Sequence, residues 1–352
     1  MKINILLPNF AMRPSGGHRI AYQYANGLAK LGHSVNLIFS SGKRNTFLNR
    51  LLFPILCIII FFGKKWFKFN AAIKRKYVFN LNESNIPNAN ITIATACITA
   101  LALEKYSENK GKKFYLIQHY ETWLMPKEIV DKTWGYNDMT KIIISKWLWD
   151  IGKNLKTSNM IYIPNFIDKH LFAKKTKKTD RKYDVSMIYS HNEIKGAQYG
   201  ILALELVKKR VENFSAVLFG SCSRGKEIPQ WIDYIENPSQ NFLADSIYNN
   251  SKIYLCSSIS EGWGLPPMEA MACGAAVVTT RNGGVDDFCI DGETALMCDI
   301  KNAEQMCEKI TQLLTNAMLY GKLTERGLEK TGEFSFNQSL NKLEEALISQ
   351  CV

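Results

Sequence analysis

Two carboxylates eight residues apart, Glu261 and Glu269, flank a Gly/Pro turn in SEGWGLPPMEAMACG, residues 260–274. The turn follows the apolar run KIYLCSS (252–258) and precedes AAVVTT (275–280), so the order reads strand, glycine-rich loop, helix, strand. In an open α/β sheet such a loop lies at the carboxyl end of a strand, where ligands bind. Pro266 and Pro267 suit the first helical turn, where a missing N–H costs nothing. The backbone N–H groups of Trp263, Gly264 and Leu265 are then left to face an anion at the positive end of the helix. Placed in the first turn, Glu269 would accept hydrogen bonds from vicinal hydroxyls such as those of a ribose. Glu261 would reach a second polyol or a developing positive charge. A loop carboxylate and a helix carboxylate would thus bracket a sugar nucleotide. The bland alternative is an exposed turn with a glutamate matched to the helix dipole.

The elements that must position these groups alternate along the chain. YDVSMIYS (183–190), FSAVLFG (214–220), KIYLCSS and AAVVTT read as strands, separated by the helical runs AQYGILALELVKKRV (197–211), LADSIYNNS and PPMEAMACG. The first half repeats the scheme with INILLP, SVNLIFS (34–40), ITIATA (91–96), KFYLIQ (113–118) and KIIIS (141–145), and with the helix GGHRIAYQYANGLAKLGH after the first strand. Alternation at this spacing implies βαβ units and parallel sheets, and right-handed crossovers make each half doubly wound. IPNFIDKHLF (163–172), followed by the lysine run AKKTKKTDRK, is the expected linker. The predicted domains are residues 1–164 and 165–334. An amphipathic C-terminal helix within 335–352 is expected to pack back on the first.

Composition is ordinary for a globular chain of 352 residues: 46% hydrophobic and 22% charged. MKINILLPNF is too short an apolar stretch for a secretory leader and reads as a first strand. Nine cysteines show no CxxC and no histidine companion spacing, which fits free thiols in a reducing cytoplasm better than disulfides or zinc. The net charge of +12 is uneven. Residues 1–165 hold 23 Lys+Arg against 8 Asp+Glu, whereas residues 166–352 hold 21 against 24, and the first acidic residue is Glu83. One end of the protein therefore suits an anionic partner.

Residues 260–274, with VVTT and a later Gly-Gly, resemble the Glu-x7-Glu signature of family-4 retaining glycosyltransferases (glycosyl transferases group 1). The resemblance extends over most of the chain: Gly16-Gly17 and LAKLGHSV near the start, IPNFID between the domains, and IKGAQYGILAL at the first helix of the second domain. YLIQHYETW and ISKWLW are similar to a subgroup of bacterial surface-polysaccharide enzymes that includes rhamnosyltransferase-like members. The resemblance implies an α/β chain of GT-B class, two Rossmann-like doubly wound domains facing across a cleft, with the nucleotide-sugar donor on the second and the acceptor on the first. It implies that Glu269 holds the ribose, and that Glu261 and the amides of Trp263, Gly264 and Leu265 hold the donor sugar. Lys195, helped by Gly16 and Gly17, would neutralise the diphosphate, which needs fixed positive charge to leave. His119, after KFYLIQ, would lie against the donor sugar and donate to the leaving phosphate. On spacing alone a lone histidine there is more often structural, and Glu121 reads as a surface residue. The sequence departs from the family at one point. The arginine that usually precedes the Lys195 position is absent, leaving His191, or Arg224 and Lys226, as substitutes. No DxD-type motif stands where a metal would be needed, so neither a metal nor another cofactor is expected.

RLLFPILCIIIFFGKKWFKFNAAIKRKY, within residues 43–76 and its flanks, is too short and Pro-interrupted for a comfortable membrane span. Basic residues on both sides and Trp66, Phe67 and Phe69 after it suit a segment lying on an anionic membrane surface. A buried helix or an oligomer contact is the competing reading. Nucleic acid is a poor explanation of the charge, because phosphate contacts want distributed Lys and Arg rather than a long uncharged run. The expectation is a cytoplasmic enzyme, peripheral on the inner face of the cell membrane, that transfers a sugar to a lipid-linked saccharide. The rivals are a sugar-nucleotide epimerase of the same fold and a non-catalytic nucleotide-sugar-binding partner.

Overall fold

Strands rich in Ile, Val and Leu on both faces cannot leave either face in water, so they must sit inside a sheet covered by helices on both sides. The chain makes two such sheets. The computed structural model describes residues 1–42, 46–62, 66–175 and 180–351. It divides into two units, Met1–Asn165 with Asn337–Val352, and Phe166–Phe336.

The first unit holds a seven-stranded sheet in the order β3-β2-β1-β4-β5-β6-β7. Its strands are β1 (Lys2–Leu7), β2 (Ser34–Ser40), β3 (Lys74–Val78), β4 (Ile91–Ala94), β5 (Lys112–Ile117), β6 (Met139–Ile143) and β7 (Met160–Tyr162), all paired in parallel. Helices α1 (Gly16–Lys30), α2 (Phe47–Phe62), α3 (Cys97–Leu103), α4 (Lys127–Trp134) and α5 (Lys146–Asn154) connect them. The second unit has six parallel strands in the order β10-β9-β8-β11-β12-β13. These are β8 (Tyr183–Ile188), β9 (Ala216–Gly220), β10 (Asp233–Glu236), β11 (Ser251–Cys256), β12 (Ala276–Thr280) and β13 (Leu296–Cys298). With them go α6 (Ala197–Arg210), the short α7 (Gln240–Phe242), α8 (Leu265–Ala272), α9 (Ala303–Thr315) and α10 (Ala317–Thr331). The last helix, α11 (Phe336–Ser349), is tied to the first unit, where Ser339 Oγ donates to the Pro164 carbonyl and His33 Nε2 lies 2.8 Å from Glu344.

Both sheets reverse direction once, between β1 and β4 in the first and between β8 and β11 in the second. A crevice opens at each reversal, beyond the carboxyl ends of the strands. The second sheet's core is apolar throughout, with Val185, Leu218, Ile253, Leu255 and Val278 sealed under Leu204 and Ile310 of α6 and α9.

Four strands escaped the hydrophobic pattern. β3, KRKYV, is an edge strand whose charged residues keep other chains off the edge, and that hides its strand character. β7 and β13 are three residues long, and β10, DYIE, is another edge. LADSIYNNS, expected to be helical, forms a turn of π-helix at Leu243–Ile247 and a 3₁₀ turn at Tyr248–Asn250. The expected lysine-run linker lies partly outside the described residues, at 176–179.

Candidate functional site

In the second unit the loops after β8 and β11 lie side by side over the crevice. The first loop runs through a 3₁₀ turn, Glu193–Lys195, into Gly196 and α6. The second runs from Ser257 to Gly264 and starts α8. Three contacts join them: Ile259 N–H donates to the Ile194 carbonyl at 2.8 Å, and Ser257 Oγ to the Lys195 carbonyl at 3.1 Å. The third is a close approach at Gly196, which has φ +59 and whose absent Cβ would sit 2.2 Å from the Ser257 carbonyl. Only glycine satisfies both the backbone angle and the gap.

This pairing delivers Lys195 Nζ to Glu261 Oε1 at 2.7 Å, and the same oxygen accepts from Ser258 Oγ at 2.7 Å. Burial works against the ammonium charge, but the glutamate more than offsets it and holds the Lys195 pKa above its ordinary value. An ammonium has three donors, and among the described residues one is used on a side chain. The remaining two suit an anion such as a phosphate. Behind Glu261, its N–H donates to the Asn282 carbonyl, and Gly284 lies so near that a Cβ would sit 2.7 Å from the Glu261 backbone.

Gly264, at φ +85, caps α8, and Pro266 and Pro267 occupy its first turn. Among the described residues, the N–H groups of Trp263, Gly264 and Leu265 donate to no protein acceptor. Trp263 and Gly264 are buried, so their N–H groups need a partner from elsewhere. The Trp263 ring is core, packed on Phe288 and Phe334, so its backbone alone faces the site. Glu269 is the fifth residue of α8, one turn deeper than expected, because Leu265 already begins the helix. It is 2% exposed, and its Oε2 accepts from Tyr248 Oη at 3.1 Å. Arg181, 4% exposed, pins this region from beneath by donating to the carbonyls of Tyr248, Ser251 and Cys273.

The substitutes for the absent arginine fare differently. Arg224 spends its guanidinium on the carbonyls of Ile228, Pro229 and Ile232 in its own loop. His191 lies 3.2 Å from Tyr189 Oη, which donates to Glu227. Lys226 is exposed and forms no ion pair among the described residues.

In the first unit the expected residues gather at the carboxyl edge of the other sheet. α1 starts at Gly16, and Gly17 packs against the Gln118 side chain, the residue before His119. His119 is partly buried and stands edge-on to Trp123 and Trp147, with ring centroids 4.2 and 5.5 Å away. Glu121 is not a surface residue. Its carboxylate accepts the Cys97 N–H at the start of α3, and burial raises its pKa to about 7, although that hydrogen bond pulls the other way. Asn282, Tyr248 and Arg181 had no individual signal in the sequence, since each acts through a partner distant along the chain. Among the described residues no group of three or more His, Cys, Asp or Glu is placed to hold a metal ion.

Two Rossmann-like parallel-sheet units covered by helices give the chain a GT-B fold. Residues 168–330 match the family described as Glycosyl transferases group 1. An uncharacterized glycosyltransferase of Haemophilus influenzae is 25% identical over 92% of this chain and 94% of its own length. The Rhizobium meliloti lipopolysaccharide core biosynthesis glycosyltransferase LpsE is 39% identical over 24% of this chain and 25% of its own. In fold, the chain is similar to Anabaena HepE, solved with UDP-glucose (TM-score 0.76, 12% identity, 99% of this chain and 100% of that one). It is equally similar to S. aureus TarM (TM-score 0.76, 13% identity, 98% and 99%).

Proposed function

We propose that this protein is a retaining, metal-independent glycosyltransferase that moves a sugar from a nucleotide donor to a lipid-linked saccharide in bacterial surface-polysaccharide synthesis. The observation that carries the reading is the crevice of the second unit, where Lys195 with spare donors and three unbonded amides meet at a helix start. Such a site is built for a diphosphate. Glu269 holds the ribose hydroxyls and Glu261 the sugar. In the reaction the bond from the anomeric carbon to phosphate breaks and the acceptor oxygen bonds to the same face. The acceptor's proton passes to the leaving phosphate oxygen. Fixed ammonium and N–H charge takes over the work a metal would do. The relative named for lipopolysaccharide core synthesis supports the acceptor class, and the basic, apolar segment within residues 43–76 supports work at the inner face of an anionic membrane.

The test is thermal stabilisation by UDP-, GDP-, dTDP- and ADP-sugars, with Glu269→Ala as control. A ligand at about 100 times its Kd adds about 2.7 kcal/mol. One nucleotide class shifting the wild type and not the variant is the expected result. No shift from any of them would sink the donor assignment.

A further inference from the structure

We propose that the pocket bounded by Trp66, Phe67, Phe69, Lys68 and Arg75 takes the phosphorylated head group of a membrane lipid, with the outward face of α2 lying in the bilayer interface beside it. This rests on the reading of a lipid-linked acceptor and assigns that lipid a place on the first unit.

Helix α2 has its polarity arranged backwards for a water-facing helix. Phe53, Leu56, Cys57 and Ile60, at i, i+3, i+4 and i+7, turn toward the protein. Phe53 meets Phe79 at 5.6 Å between ring centroids, and the Arg50 guanidinium lies 5.9 Å from the same ring. The opposite face is also apolar: Leu48, Leu51, Leu52, Ile55, Ile58 and Ile59 are 45–63% exposed. A contiguous apolar face of this kind marks an interaction surface. At 16 residues the helix is about 24 Å long, short of the hydrocarbon core of about 30 Å, and it is fixed to the protein along one side. It therefore lies along a bilayer rather than crossing it.

The pocket follows α2 in the chain and is an open depression of about 470 Å³. The rings of Trp66, Phe67 and Phe69 all pack on buried Tyr22, with centroids 5.5, 5.1 and 4.8 Å away, and Trp66 Nε1 donates to the Ala11 carbonyl at 2.7 Å. These walls are fixed. The Arg75 guanidinium lies 5.1 Å from the centre of the Phe69 ring. Among the described residues neither Arg75 nor Lys68 forms an ion pair, and the chain holds no Asp or Glu before Glu83. A positive pocket without a counter-ion, walled by aromatic rings and adjoining an apolar helix, matches a phosphate attached to a lipid. The planar guanidinium suits phosphate oxygens, and Trp and Phe suit the glycerol and acyl boundary. The expected membrane segment includes residues 43–45 and 63–65, which lie outside the described residues.

Full-length protein is floated with phosphatidylcholine vesicles, with and without phosphatidic acid. The wild type is expected to bind the anionic vesicles. Arg75→Gln with Lys68→Gln should lose about tenfold or more of the phosphatidic acid-dependent binding, as removal of two charges near the surface predicts. Ile55→Ser with Ile58→Ser should lose binding to both vesicle types. Pocket variants that bind anionic vesicles as well as the wild type overturn the pocket. A wild type that binds no vesicle yet titrates with inorganic phosphate overturns the lipid. Donor-induced thermal shifts, read in the same variants, stay at the wild-type value if the donor assignment is right and the pocket is wrong, so the two failures are told apart.

Discussion

The ion pair of Lys195 and Glu261 is the smallest unit that carries the chemistry. The raised lysine pKa means that the lysine's contribution to the pair is complete at neutral pH and is lost in strong base, as pH climbs through the folded-state value. Lys195→Met strands the Glu261 carboxylate and removes the charge proposed to face the diphosphate. Turnover should fall by about a hundredfold or more, measured as kcat/KM with the identified donor. Glu121 works in the same sense in a lower pH window. Its pKa is raised from 4.5 to about 7, so the folded state holds a proton that the unfolded chain has already lost. Stability is greatest below about 4.5 and drains away as pH rises through 7, by roughly 3 kcal/mol. Glu121→Gln keeps an oxygen for the Cys97 N–H and removes that slope. Denaturation at about pH 5 should find the two proteins alike, and at about pH 8 the variant should be the more stable.

At the scale of elements, the site depends on two loops being held at backbone contact. Gly196→Ala would force a Cβ against the Ser257 carbonyl at a positive φ, so either the turn or the neighbouring loop must move. We expect a loss of about 2 kcal/mol in Tm-derived stability and weaker donor binding. A variant that melts lower but binds donor as tightly would show that the loop contact does not set the site. The length of α8 matters in the same way. Because the helix begins at Leu265, Glu269 is carried one turn inward to Tyr248 rather than left at the first turn.

For the whole molecule, two sheets with separate cores imply two folding units. Calorimetry should resolve two transitions, and the matching nucleoside diphosphate should raise one of them by the amount set by its concentration over Kd. A single transition that shifts as a whole would show that the units unfold together. Charge is divided along the same line, since the acid-free first 82 residues all belong to the first unit and the near-balanced half is largely the second.

The sequence by itself determined the strand–helix alternation, the glycines at the tight turns and the Glu-x7-Glu spacing. Each of these is a local property: periodicity, φ freedom and helix-start chemistry are written in neighbouring residues. The edge strands β3 and β10 escaped, because an edge has one pairing partner and its charged side chains mask the pattern. Tertiary structure alone decided that Lys195, 66 positions before Glu261, ends 2.7 Å from it, that Tyr248 reaches Glu269, and that Arg181 gathers three carbonyls from separate segments. It also turned Glu121 from a surface residue into a partly buried acid on a helix start. These are contacts between crossovers of a parallel sheet, and strand order, which no local pattern encodes, is what brings them together.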